Sequence, residues 1–80
     1  MTTNDLKKGT RVLLNNGWEA TLEDNRKGNI RLATVYGYCE EMGSIYSHDI
    51  VSYQENGEWV SVDHTANQKK CKNMTDFLFN

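Results

Sequence analysis

Eighty residues, a quarter of them charged and summing to a net charge of −2, make one domain and leave no room for a second hydrophobic core. No apolar run approaches the ~20 residues that a membrane-spanning helix needs, so no membrane segment is expected. The two cysteines, Cys39 and Cys71, allow one bridge at most; with no signal peptide ahead of them, they are expected as free thiols in a reducing cytoplasm.

The chain contains no proline, which leaves glycine and asparagine to make the turns. Met1 to Asp5 is polar and is expected to form a loose arm. Leu6 then folds back over one end of the core, and Gly9 sets the bend into the first strand. From Thr10 to Asp24 the pattern is that of a hairpin. Val12 and Leu14 alternate before Asn16-Gly17, and Trp18, Ala20 and Leu22 alternate after it. Asn-Gly between alternating runs predicts a type I′ turn, in which both central residues take positive φ. Trp18, Ala20 and Leu22 share an apolar face, with Glu19, Thr21 and Glu23 on the other side.

Asn25 to Gly28 reads as a second turn, with Gly28 in the left-handed position. A third strand follows over residues 29–36, with Ile30, Leu32 and Thr34 on one face and Arg31, Ala33 and Val35 on the other. Apolar residues on both faces suggest a tightly curved sheet buried in part on each side. Residues 37–47, bracketed by Gly37 and Gly43, read as a loop with a short extended piece at Ser44 to Tyr46. Ser47-His48-Asp49 reads as a tight turn before a strand over residues 50–53. A second Asn-Gly turn, at Asn56-Gly57, precedes a strand in which Val60 and Val62 face one way and Trp59 and Ser61 the other. The total is about five strands at the spacing of a small barrel or sandwich.

The period then changes. Asp63 or Thr65 can cap a helix over residues 66–78, in which Cys71, Met74 and Leu78, with Phe77 alongside, make a stripe that should lie over the β-structure. The resulting expectation is a mainly β fold: a small barrel of about five antiparallel strands over residues 6–63 with a C-terminal α-helix.

The Lys7-Lys8-Gly9-Thr10-Arg11-Val12 opening, the first hairpin, the third strand and the Ser47-His48-Asp49-Ile50 turn resemble an SH3-like barrel. That turn is similar to the one-turn 3₁₀ element before the last strand of such barrels. The opening resembles that of KOW-type and Tudor-type modules, and the plan of a barrel with a C-terminal helix is similar to small uncharacterised proteins of tailed phages. The resemblance implies a non-enzymatic binding module, and a host-cell cytoplasmic location if the chain is phage-encoded.

Charge is unevenly distributed. Lys7, Lys8, Arg11, Arg26, Lys27 and Arg31 lie early and Lys69, Lys70 and Lys72 late, whereas residues 32–68 carry carboxylates and no Lys or Arg. Two binding surfaces follow. An aromatic-acidic patch of Tyr36, Tyr38, Glu40 and Glu41, extended by Trp59, suits a basic protein partner; Trp18 and Tyr46 are expected to complete the core instead. The alternative is a nucleic-acid contact through a basic strip of Arg26, Lys27, Arg31, Lys69, Lys70 and Lys72. Imitation of the charge of DNA by the acidic middle is a third idea, although six carboxylates over that span are sparse for it. Cys39, His48 and Asp49 have no spacing that defines a catalytic constellation, so no enzyme is expected. Cys39, His48, His64 and Cys71 lack the close ligand pairs of a structural zinc site. The cysteines are expected to pack as small hydrophobes, and no cofactor or metal is implied.

Overall fold

The computed structural model describes residues 1–79, with side chains described for residues 1–74. A 3₁₀ turn at Thr3–Asp5 precedes β1 (Arg11–Leu14), β2 (Glu19–Leu22), β3 (Ile30–Tyr36) and β4 (Glu40–Tyr46). A second 3₁₀ turn at Ser47–Asp49 leads to β5 (Ile50–Glu55), β6 (Glu58–Ser61) and the helix α1 (Ala66–Phe79). The six strands form one antiparallel sheet in the order β4-β3-β2-β1-β5-β6. The molecule is thus mainly β with one C-terminal helix, but the expected five strands are six. The expected closed barrel is an open sheet, with β4 and β6 at its two edges.

The additional strand is β4, of which the sequence showed only the extended piece at Ser44 to Tyr46, the rest reading as a loop. Gly43 and the absence of apolar alternation concealed it, because its side chains are almost all exposed. What makes it a strand is backbone pairing with β3, in regular register from Ile30↔Tyr46 to Tyr36↔Glu40.

The apolar centre follows the alternation in β1 and β2. Val12, Ala20 and Leu22 are wholly buried, and the register Val12↔Ala20, Ala20↔Val35 and Leu22↔Ala33 carries that face across three strands. Ile50, Tyr53 and Val62 close it from the other side, and Leu6 folds back over its end as expected. A fully buried aliphatic side chain of this kind contributes about 1.5–3 kcal/mol.

The two Asn-Gly pairs make different turns. At Asn56-Gly57 both residues have positive φ, +53° and +82°, as a two-residue type I′ turn requires. At Asn16-Gly17 only the glycine does, with φ +91°. There the Gly17 N–H bonds to Leu14 O and the Leu14 N–H to Trp18 O, which closes a three-residue loop instead of the predicted type I′ turn. The Asn16 side chain accepts the Trp18 N–H at 2.9 Å, an Asx bond that competes with positive φ at Asn16.

The N-terminal segment is not the loose arm expected. Thr3 is fully buried, Thr2 bridges Asp63, and the Asp63 N–H bonds to Met1 O at 2.9 Å. At the other terminus, Thr65 and Gln68 cap α1 reciprocally. The Gln68 N–H bonds to Thr65 Oγ1 and the Thr65 N–H to Gln68 Oε1 at 2.9 Å, the two halves of a capping box. Cys71 is half-buried, but Met74 is 56% exposed, so the expected apolar stripe does not lie over the sheet at that position. The side chains of Phe77 and Leu78 lie outside the described residues. No helix among the described residues is long and apolar enough to cross a membrane.

Candidate functional site: a basic end and an aromatic corner

Arg31 organises one end of the molecule. Leu22 pairs with Ala33, which puts the odd-numbered residues of β3 on the core face, and Arg31 is carried inward with them to zero exposure. Its Nε donates to Asp24 Oδ1 at 2.8 Å, Nη1 to Thr3 O at 2.7 Å, and Nη2 to both Leu6 O and Asp24 O at 2.8 Å. One guanidinium therefore ties the N-terminal segment and the residue 24–28 loop to β3. Burying such a charge costs several kcal/mol unless it is paired and hydrogen-bonded, and here every guanidinium nitrogen donates.

Asp24 is the matching anion. Desolvation pushes its carboxyl up, but the bonds from Arg31 and from the Leu32 and Arg26 N–H groups outweigh that and hold it below the usual 3.8. The expectation that Arg31 contacts nucleic acid is therefore wrong: its fork is turned inward and fully engaged.

A second set of bonds adds the helix. Gln68, also fully buried, donates from Nε2 to Gly28 O at 2.8 Å and to Asn4 Oδ1 at 3.2 Å. Asn4 Oδ1 in turn accepts the Gly28 N–H at 2.8 Å, and Ser47 Oγ donates to Gly28 O at 2.7 Å. The Lys8 N–H bonds to Asn25 Oδ1 at 2.7 Å, which joins the loop before β1 to the loop before β3.

These bonds bring three basic segments together. Lys7 and Lys8, Arg26 and Lys27, and Lys69, Lys70 and Lys72 are all exposed on the three segments that these bonds join, so five of the six residues predicted for a basic strip stay at the surface. Lys7 and Lys8 belong to the same set, and sequence reasoning left them out. Two basic pairs near glycines were visible in the chain, but the Asn25 bond that joins them was not. Of the acids on these segments, Asp24 is paired with Arg31, while Asp5 Oδ2 accepts the neutral Thr2 N–H at 3.0 Å. Arg26 lies 3.6 Å from Asp24 with a side chain 69% exposed, a weak surface pair. The first turn of α1 has no acidic residue and the last turn no basic one, so the lysines lie toward the end where the helix dipole disfavours cations.

The aromatic-acidic patch does not hold together. Tyr36 and Tyr38 were expected in one patch, but the turn at Gly37, closed by the Gly37 N–H on Cys39 O at 3.2 Å, separates them. Tyr36 lies on the outer face beside Glu40. Its ring sits 4.2 Å beneath the Arg11 guanidinium, and its hydroxyl is 2.9 Å from Thr21 Oγ1. Arg11 also pairs with Glu19 at 3.0 Å.

Tyr38, 97% exposed, meets the Trp18 ring edge-on at 5.4 Å and lines a shallow pocket of about 150 Å³ with Trp18, Val35, Cys39 and Glu41. Trp59 lies on β6, the edge of the sheet opposite β4, so the sheet order does not bring it to this corner. Trp18 and Tyr46, expected in the core, are 38% and 42% exposed. Trp18 instead covers the backbone of Gly37, where a built Cβ would come 2.6 Å from its Cε3. Cys39 is exposed and not packed as a small hydrophobe, and no disulfide joins it to Cys71.

His48 is buried, stacks on Tyr46 at 4.9 Å and places Nε2 3.5 Å from Asp49 Oδ1. His64 Nε2 lies 2.8 Å from Ile50 O. Among the described residues no three His, Cys, Asp or Glu side chains gather as metal ligands. Comparison with protein-family models, with curated proteins and with solved structures gives no match.

Proposed function

We propose that this chain is a small non-enzymatic binding module whose basic end takes the phosphate backbone of a nucleic acid. The observation that carries the reading is the convergence of three cationic segments through the Lys8–Asn25 and Gln68–Gly28 bonds. Clustered lysines and arginines release counterions when they meet phosphates, which gives sequence-independent, salt-sensitive affinity. The carboxylates of Glu40 and Glu41, exposed on β4 away from this web, repel phosphates and leave one end for contact. The return of β5 to β1 directly after the Ser47–Asp49 turn supports an SH3-like plan for the sheet, opened at its edges.

Fluorescence anisotropy with a labelled single-stranded oligonucleotide tests this. With four to six phosphate contacts, affinity should fall with salt at a log–log slope between about −3 and −4. Combining Lys8→Ala, Lys27→Ala and Lys70→Ala should make that slope shallower by about 2. Glu40→Ala with Glu41→Ala should not weaken binding. No binding at low salt, or binding indifferent to salt, would overturn the reading.

One observation favours a second reading, that of a protein partner. Tyr38 is almost wholly exposed over Trp18 with Glu41 beside it, a geometry suited to a basic protein side chain. Retention of a protein from bacterial lysate that is lost on Tyr38→Ala, together with failure of the oligonucleotide titration, would favour it.

A further inference from the structure

The sheet has two edges, and they differ. β6 is four residues long, and the chain just beyond it is covered by the N-terminal segment, through the Thr2–Asp63 bridge and the Asp63 N–H bond to Met1 O. β4 has seven residues paired with β3 in unbroken register, and no strand lies beyond it among the described residues. Edges are ordinarily blunted by charged side chains, above all lysine, by proline, by a bulge or by a covering segment. β4, with the sequence Glu-Glu-Met-Gly-Ser-Ile-Tyr, carries its only charges, Glu40 and Glu41, at one end and has neither lysine nor proline nor a bulge, which leaves Met42 to Tyr46 unguarded.

The phase of its hydrogen bonds is fixed. The Gly37 N–H bond to Cys39 O and the Ser47 N–H bond to Asn29 O bracket the β3–β4 ladder at odd-numbered positions. Antiparallel pairs alternate between bonded and non-bonded, so Glu41, Gly43 and Ile45 bond inward to β3. Glu40, Met42, Ser44 and Tyr46 then direct their N–H and C=O groups outward from the sheet.

We propose that this edge pairs with β4 of a second copy of the chain, antiparallel and with the two-fold axis at Gly43. In that register Glu40 faces Tyr46, Glu41 faces Ile45 and Met42 faces Ser44 of the other copy. All seven positions are paired and no two carboxylates are opposed. Centring the pair at Glu41, or between Glu40 and Glu41, sets carboxylate against carboxylate, and centring it elsewhere shortens the ladder. The outward-bonding residues meet as bonded pairs, and the two Gly43 residues meet as a close non-bonded pair where the absence of a side chain lets the backbones approach. The pairing also covers Met42, 65% exposed, and Tyr46, 42% exposed, which share the outer face of β4. None of the lysines and arginines of the proposed basic end lies on β4, so the pairing stands or falls independently of the nucleic-acid reading.

Two measurements test the proposal on the full chain. Sedimentation velocity across a concentration series should show a monomer–dimer equilibrium. Met42→Lys combined with Ser44→Lys, which opposes ammonium groups twice across the axis, should weaken the dimer about tenfold while circular dichroism shows the β-fold retained. In a Cys39→Ser background, Gly43→Cys should oxidise to a covalent dimer bonded at position 43, as peptide mapping would show. The site is open, since a Cβ there meets nothing within 4 Å. Ser61→Cys, on β6, should not crosslink in the same way. A monomer throughout the series, or equal crosslinking at the two positions, would overturn the pairing, and a dimer that fails to crosslink at position 43 would overturn its register.

Discussion

Val12, Ala20, Leu22 and Ala33 meet across three strands through apolar side chains, whereas two residues before Ala33 the same face carries Arg31, just as deeply buried. The first region is held by area removed from water and tolerates approximate shape. The second is held by directed bonds, each of which needs its partner in place: Asp24, the carbonyls of Thr3 and Leu6, and the neighbouring Gln68–Asn4–Gly28 set. The contrast explains how so short a chain fixes three loops and a helix relative to one another. Apolar packing organises the strands, and a buried polar web organises the segments that carry the lysines.

The polar web is most sensitive at Arg31. Arg31→Ala leaves a partly buried carboxylate and several carbonyls without a donor and should cost about 3–5 kcal/mol in urea unfolding, a large share of the stability of a domain this size. Arg31→Lys should not restore it, since an ammonium cannot reach the same acceptors as a planar fork. On the apolar side, Leu22→Ala should cost about 3 kcal/mol by the same measurement, from lost transfer energy and the cavity left behind. Gly37→Ala sharpens the contrast at the aromatic corner. Its Cβ would drive into the Trp18 indole, which must move off the turn, for a loss of about 1–3 kcal/mol with a change in tryptophan fluorescence. Thr65→Ala removes one half of the capping box and should cost about 1 kcal/mol, read as lost helical signal in circular dichroism.

The subtlest signature is in pH. The Asp24 carboxyl is held below its unfolded value, so the stability it contributes is complete above the ordinary carboxylate range and is lost as pH falls through the folded value. The stability gap between the native chain and Asp24→Asn should therefore be widest near neutrality and should shrink in unfolding series taken below about pH 4. A gap that stays constant with pH would mean that the Arg31–Asp24 charge pair does not have the weight assigned to it.

Where side chains alternate, the sequence was legible. Val12, Leu14, Ala20 and Leu22 read as a core face, and the Ser47–Asp49 turn and the Thr65 cap carry their signals locally. β4 was not legible, because an exposed edge strand needs no apolar alternation and is made by backbone pairing with β3. The burial of Arg31 was equally hidden. Ile30 and Leu32 on one face compete with Ala33 and Val35 on the other, and only the register with β2 decides that Ile30 stays 47% exposed while Arg31 goes inside. At the candidate site the lysine-bearing segments were visible singly. Their convergence depends on Asn25, Asn4 and Gln68, polar residues with no pattern to mark them.

The most direct test of the proposed basic end is a titration of the ¹⁵N-labelled chain with an unlabelled oligonucleotide, followed amide by amide. The expected result is a set of salt-sensitive shifts at residues 7–8, 25–28 and 68–72, with Tyr38, Glu40 and Glu41 unmoved. Shifts centred on Trp18, Gly37 and Tyr38, or none at low salt, would contradict it.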